Sequence, residues 1–269
     1  MENIQKAKEV IANAEAIIIT AGAGMGVDSG LPDFRGDEGF WKAYPPIKKL
    51  GLSFAQMANP QWFEKDPHLA WGFYGHRLEL YRKTIPHKGF KLLLEFVKEK
   101  NENYFIFTSN VDEQFQKAGF DEEKIYEIHG SIHHLQCTTP CSNEIWKNEE
   151  SIEVDMQTLK ANKLIYCKNC GVVARPNILM FGDWHFIDKR ASSQEKKLHN
   201  FLMQNKNKKT LIIEMGAGTS IPTIRNFGDK LTKKSNFTLI RINPTEPQVP
   251  IGGIGIDLGA KEALEEIFS

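Results

Sequence analysis

Apolar positions along the chain follow two rhythms. Ile4, Ala7, Val10, Ile11 and Ala14 fall near one face at helical spacing, which predicts an amphipathic helix at the start. Ala16-Ile17-Ile18-Ile19-Thr20 follows at once, short, β-branched and apolar throughout, as a strand covered on both faces should be. Similar runs recur at Tyr104–Thr108 (YFIFT), Thr210–Met215 (TLIIEM) and Phe237–Ile242 (FTLIRI). Helical stretches lie between them, for example Phe90 to Lys98, where Phe90, Leu93, Leu94 and Val97 share one stripe. Strands alternating with helices in this way predict an α/β fold built on a parallel sheet.

Two parts break the alternation. From about Trp41 to Arg82 the chain is aromatic and interrupted by Pro45, Pro46, Pro60 and Pro67, the profile of a helical or looped cap. From about Leu135 to Arg175 it holds all four cysteines and the polar stretch SNEIWKNEESIEVD. Both read as insertions that together form a small helical and metal-binding second domain, 41–82 with 135–175. The sheet domain would then comprise 1–40, 83–134 and 176–269.

Composition narrows the function classes. With 269 residues, 41% apolar and 25% charged, the chain can bury a large core and is not disordered. Lys plus Arg and Asp plus Glu are both 34, a net charge of +0, which gives no support to a nucleic-acid or membrane-surface partner. The N-terminal MENIQKAKEV is charged, without an apolar run of signal-peptide length, and the longest apolar stretches are far below a membrane span. A cytoplasmic protein is expected. The composition leaves the oligomeric state open.

The first strand runs straight into Ala21-Gly22-Ala23-Gly24-Met25-Gly26. Glycine there allows positive φ and lets backbone N–H groups approach a pyrophosphate, the Rossmann-like arrangement for a dinucleotide. The match is incomplete, because Val27 stands where G-x-G-x-x-G has its last glycine, and such a turn also serves as a tight connection with no ligand. Asp28-Ser29-Gly30-Leu31-Pro32-Asp33-Phe34-Arg35-Gly36 then gathers an acid, a hydroxyl, an aromatic ring and a guanidinium in one glycine- and proline-bounded loop. That is the profile of a binding lid; the plainer reading is a capped turn with a surface salt bridge.

The cysteines come as two pairs, Cys137-Thr-Thr-Pro-Cys141 and Cys167-Lys-Asn-Cys170. Four thiolates from two tight turns make a closed tetrahedral site, structural rather than catalytic, and zinc is the metal expected. Zinc would stabilise a polar insert too small to have a core of its own. Unmetallated buried thiols or a redox pair are the alternative.

Taken in order, these pieces resemble the sirtuin family. GAGMGVDSGLPDFRG is similar to its signature, Thr108-Ser109-Asn110-Val111-Asp112 to TQNxD, and Ile128-His129-Gly130-Ser131 to HGS. Arg175-Pro176 followed by Phe181-Gly182-Asp183 resembles RPxxxxFGE, Gly218-Thr219-Ser220 matches GTS, and Ile242-Asn243 the late IN that faces the adenosine. The resemblance implies NAD as co-substrate, cleaved at its nicotinamide–ribose bond while an acyl group passes from a protein or peptide lysine to ADP-ribose. An oxocarbenium-like transition state calls for positioning and water exclusion more than for a strong nucleophile. A general base must deprotonate the ribose hydroxyl, a task that suits a histidine.

Carried over residue by residue, His129 is the base, and Asn110 and Asp112 hold the nicotinamide ribose and carboxamide region. Asp33, Phe34 and Arg35 form the cofactor lid, with Phe34 shielding the reacting carbon. Ala21, Gly22, Ala23, Gly24, Ser109, Gly218, Thr219, Ser220 and Asn243 complete the NAD contacts. Trp71-Gly72-Phe73-Tyr74-Gly75-His76-Arg77 places Tyr74 and Arg77 three apart, on one face if helical. Here the resemblance is to sirtuins that remove succinyl, malonyl or glutaryl groups, where a Tyr-x-x-Arg pair binds the distal carboxylate; an ordinary surface arginine is the plain alternative. Ser109 replaces the family's glutamine, Gly26 a usual serine or alanine, and Ala21 a usual threonine. NVDEQFQKAGF with the C-x-x-P-C turn also resembles a microbial, macrodomain-associated class that transfers ADP-ribose, but the intact Pro32–Gly36 loop and His129 favour deacylation. The competing readings are an NAD-consuming ADP-ribosyltransferase or hydrolase, and an NAD-binding module that senses without reacting.

Overall fold

A computed structural model describes residues 2–33 and 36–268. Among these, the strands in chain order are β1 Ala16–Ala21, β2 Tyr104–Thr108, β3 Ile125–Glu127, β4 Gly130–Cys137, β5 Trp146–Lys147, β6 Val154–Asp155, β7 Lys160–Ala161, β8 Ala174–Ile178, β9 Thr210–Met215, β10 Phe237–Ile242 and β11 Ile254–Ile256. Six of them form one sheet in the order β11-β10-β9-β1-β2-β3. Every pairing in it is parallel. All four runs read from the sequence as covered strands lie in this sheet; β3 and β11, at three residues each, are too short to show a period.

Both faces are covered. Helices Glu2–Ala12, Lys88–Glu99 and Ala260–Phe268 pack Ile11, Phe90, Leu93 and Leu264 on Ile17, Ile19 and Ile213. On the other face Leu198 and Ile224 meet Phe105 and Phe107, while Leu231 meets Ile18 and Ile212. Alternate residues of β1 thus bury to opposite sides, and each wholly buried isoleucine contributes roughly 1.5–3 kcal/mol. Because β2 and β9 flank β1 on opposite sides, the chain leaves the sheet in opposite directions at its carboxyl edge, where α/β sheets open a crevice.

A second core lies beside the sheet domain and is organised by the helix Pro67–Lys83. Asp66 caps it by accepting from the Leu69 N–H at 3.1 Å, and Pro67 occupies the first turn, where no N–H is needed. Its own Trp71 and Phe73 pack with Phe40, Tyr44 and Phe63. The cysteine-bearing insert is not the coreless piece that its polarity suggests. Its Ile152, Leu159, Ala161 and Ile165 bury against the same helix, and they reach it because glycines face them. A Cβ at Gly72 would lie 1.9 Å from the Leu159 carbonyl oxygen, and one at Gly75 would lie 2.7 Å from Ile152 Cγ2. A sequence window of the insert alone shows too few apolar residues for a core, since the other half of that core is sixty or more residues upstream. β4 pairs antiparallel with β5 and β8, and the expected boundaries at 134/135 and 175/176 fall inside this β4–β8 ladder.

Two turns at the carboxyl edge touch backbone to backbone. The N–H of Gly22 donates to the Met215 carbonyl, and that of Gly24 to the Gly216 carbonyl, both at 3.0 Å. Gly216 is left-handed, φ +61, and a Cβ there would lie 2.3 Å from the Gly24 carbonyl carbon; one at Gly22 would lie 2.7 Å from the Gly216 oxygen. Gly30 is left-handed too, φ +86, but nothing lies within 4 Å of its Cβ position. Gly30→Ala should therefore cost about 1–2 kcal/mol, the left-handed backbone alone. Gly216→Ala adds a clash with backbone that cannot move aside and should cost on the order of 3 kcal/mol or more. Chemical denaturation of the two variants checks the difference; equal losses would mean that the turns are not in contact.

Candidate active site and zinc centre

A cavity of about 1010 Å³ opens at this carboxyl edge and extends toward the second core. Gly22, Ala23 and Gly24 line it; Gly22 caps and the other two begin a 3-10 helix, Ala23–Ser29, where an α-helix would begin in the full dinucleotide fingerprint. Ala21 does not. It ends β1 wholly buried, and its carbonyl accepts the Ser109 N–H at 3.1 Å and the Thr108 hydroxyl at 3.0 Å.

Ser109, Asn110 and Asp112, which follow β2, line the cavity with His129, which follows β3. The Asn110 side-chain amide donates to the Gly22 carbonyl at 3.0 Å, so the second motif is tied to the first. Burial lowers the pKa of His129, opposed only by a hydrogen bond to the Ser109 backbone, and the imidazole is neutral near pH 7. That contact uses Ser109's main chain. Burial raises the Asp112 carboxyl to about 6, against the Gln114 N–H and the charge of Arg77.

Within the lid-like loop, two polar side chains prove structural. Asp28 accepts the Lys261 N–H at 2.8 Å, and Ser29 accepts the His87 N–H at 2.9 Å. Leu31, Pro32 and Asp33 line the cavity, whereas Phe34 and Arg35 lie outside the described residues. Gly218, Thr219 and Ser220 line the far end. Asn243 does not reach the cavity. Wholly buried, it donates to the Ala217 carbonyl at 2.9 Å and accepts the Thr245 and Glu246 N–H groups at 3.0 Å, which shapes the loop instead.

Tyr74 and Arg77 line the same cavity from the helix Pro67–Lys83. Both are buried, so Arg77 is no surface arginine. Its Nε and Nη2 donate to the Tyr81 hydroxyl at 3.1 and 2.7 Å, and its guanidinium stands 5.3 Å from the Phe73 ring centroid. Burial pushes the Tyr74 phenol far above its usual range, so it stays protonated.

The four cysteines converge although the pairs are far apart in sequence. Sγ of Cys137 lies 3.6 Å from that of Cys170, as does Cys141 from Cys167, and all four lie within 4.8 Å of one another. A tetrahedral zinc–thiolate site with Zn–S bonds near 2.3 Å needs sulfurs about 3.8 Å apart. Four thiols with no open position fit structural zinc, and none of them lines the cavity.

With this geometry in view, comparison with known proteins gives a consistent result. A family model described as the Sir2 family matches residues 22–221. The chain belongs to the Sir2 family. It is 30% identical over 256 residues to an NAD-dependent protein deacylase of Aquifex aeolicus, covering 94% of this chain and 93% of that one. It is 28% identical over 264 residues to NAD-dependent protein deacylase 1 of Archaeoglobus fulgidus, covering 98% and 96%. Among solved structures, a Sir2 homologue in complex with NAD superposes with a TM-score of 0.76 at 25% identity, covering 98% of this chain and 92% of that one.

Two polar groups of this cavity are not legible along the chain. Tyr81 lies one helical turn beyond Arg77 and reads as part of an ordinary stripe. Glu246 follows the last strand motif, lines the cavity and accepts the Thr219 hydroxyl at 2.5 Å; only the close approach of two loops reveals it.

Two measurements test the electrostatics and the metal. The raised pKa of Asp112 means that the folded protein disfavours its charged form. Its penalty is therefore absent below the ordinary value of 3.8, grows up to about 6 and is constant above. Asp112→Asn should accordingly be more stable than wild type by on the order of 3 kcal/mol above pH 6. The two should be equal below pH 4, as read by denaturation across pH. Elemental analysis should find one zinc per chain, and its removal by a chelator, or Cys167→Ser, should lower the melting temperature.

Proposed function

We propose that this Sir2 protein is an NAD-dependent protein-lysine deacylase with a preference for acidic acyl groups such as succinyl or malonyl. The observation that carries this reading is that a neutral, half-buried imidazole shares one large cavity with the glycine turn at one end and a buried tyrosine–arginine pair at the other. The glycine turn and Gly218–Ser220 bind NAD, whose cleavage supplies nicotinamide and the acyl-accepting ADP-ribose. Asn110 and Asp112 hold the ribose and carboxamide region, and the loop from Leu31 through Phe34 and Arg35 excludes water from the reacting carbon. His129, neutral because it is buried, takes the proton of the ribose hydroxyl. We read 1–40, 83–134 and 176–269 as the NAD-binding unit, with 41–82 and 135–175 supplying the acyl end.

Arg77 provides a planar fork for the distal carboxylate of an acidic acyl group, and Tyr81 fixes its orientation by accepting two of its N–H groups. Tyr74, kept protonated, offers a hydroxyl donor beside it.

Incubation with NAD and acyl-lysine peptides, followed by mass spectrometry, should give nicotinamide, acylated ADP-ribose and free lysine. His129→Ala should fold and lose turnover by roughly 100-fold or more. Arg77→Met should lower kcat/KM for succinyl-lysine by roughly 10- to 100-fold and leave acetyl-lysine little changed. ADP-ribose appearing on protein instead would support the transferase reading, and an unchanged acyl preference in Arg77→Met would remove the acidic specificity.

A further inference from the structure

β2 and β3 pair only as far as Thr108 and Glu127, with one further bond from the Ile128 N–H to the Thr108 carbonyl. Beyond that point, among the described residues, no further β2–β3 pairing sets the separation between the segment carrying Asp112 and the segment carrying His129. Glu113 stands in that gap. It turns the chain into the short helix Gln114–Lys117, and its backbone is left-handed, φ +55 and ψ +25, a strained region for any residue with a Cβ and an easy one for glycine.

The side chain explains why a glutamate occupies so strained a position. Its Oε1 accepts the Ser131 hydroxyl at 2.7 Å and lies 3.3 Å from His134 Nδ1. Burial would raise its pKa, but the His134 contact, the His133 charge and the Ser131 hydroxyl together hold it down to about 2, so it is a carboxylate throughout the neutral range. The Ser131 hydroxyl oxygen also accepts the His133 N–H at 3.1 Å, and His133 Nε2 lies 3.3 Å from the Asp112 carbonyl. Between them the Ile132 N–H donates to the Val111 carbonyl at 3.0 Å. Glu113, Ser131 and His134 do not line the main cavity; Glu113 and His134 face a second one, of about 650 Å³.

We infer that Glu113 is a positioning residue, whose carboxylate clamps the Ser131 hydroxyl and thereby sets the distance between Asp112 and His129. The inference rests on the roles proposed above for those two residues. Ser131 follows His129 by two positions and is wholly buried, so displacement of its hydroxyl is transmitted along a short, packed segment to the imidazole. Misplacement of a reacting group by about an ångström can cost 100-fold in rate.

Replacement by glycine separates the clamp from a mere turn. Glu113→Gly relieves the backbone, so a turn residue would be at least as active after the change. The clamp instead predicts that Glu113→Gly and Ser131→Ala each lower kcat by roughly 10- to 100-fold with little change in KM for NAD. The double variant should lose no more than either single one, because both remove the same contact. Glu113→Gln keeps an acceptor for Ser131 and should recover most of kcat. Full kcat in Glu113→Gly overturns the inference. A second readout does not depend on turnover. The NMR signal of the His129 ring should shift or broaden in Glu113→Gly and Ser131→Ala, and an unchanged signal overturns the clamp. Retained turnover by His129→Ala would refute the deacylase reading instead, and the NMR result would then decide the clamp alone.

Discussion

The contact of two backbone turns, Gly22–Gly24 against Met215–Gly216, is the constraint on which the rest of the site depends. Parallel strands β1 and β9 deliver the turns to the same edge, and two hydrogen bonds at 3.0 Å close the gap between them. No side chain fits there. Because the turns touch, main-chain groups rather than side chains meet at the floor of the cavity. Later motifs are referenced to it: Asn110 bonds to Gly22, and Ser109 bonds through its main chain to Ala21 on one side and His129 on the other.

Desolvation then sets the chemistry. The same burial that lowers the pKa of His129 raises that of Asp112, so the imidazole is kept neutral while the carboxyl is destabilised as an anion. The buried carboxyl of Asp112 costs stability when charged, a cost that a purely structural position would be expected to shed. The end of the cavity that holds Tyr74 and Arg77 follows the reverse logic. Arg77 is buried but retains its charge, held by a tyrosine hydroxyl and surrounded by aromatic faces that stabilise a cation.

Much of this was legible along the chain. The covered strands could be read because a strand buried on both faces has to be apolar at every position, as Ile17-Ile18-Ile19 and Thr210–Met215 are. Ordered motifs located the glycine turn, Asn110, Asp112 and His129, and the cysteine spacing located the metal site. Other features were not legible. Asp28 and Ser29 look as reactive as Asp33, yet their partners are Lys261 and His87, and no local pattern announces partners so distant in sequence. Asn243 sits in a recognisable motif but turns its amide to a loop carbonyl. The polar insert concealed half a core, because its four apolar side chains have meaning only against the glycine-bearing face of Pro67–Lys83.

The sequence by itself determined the fold class, the family, the order of the motifs and the identity of the chemical groups, because these depend on residue type and local spacing. Tertiary structure decided which of those groups share a cavity, which titrate abnormally and which merely hold the frame. Those properties depend on burial and on distances of a few ångströms between segments such as Glu113 and Ser131 or Thr219 and Glu246, and the folded chain alone brings such segments together.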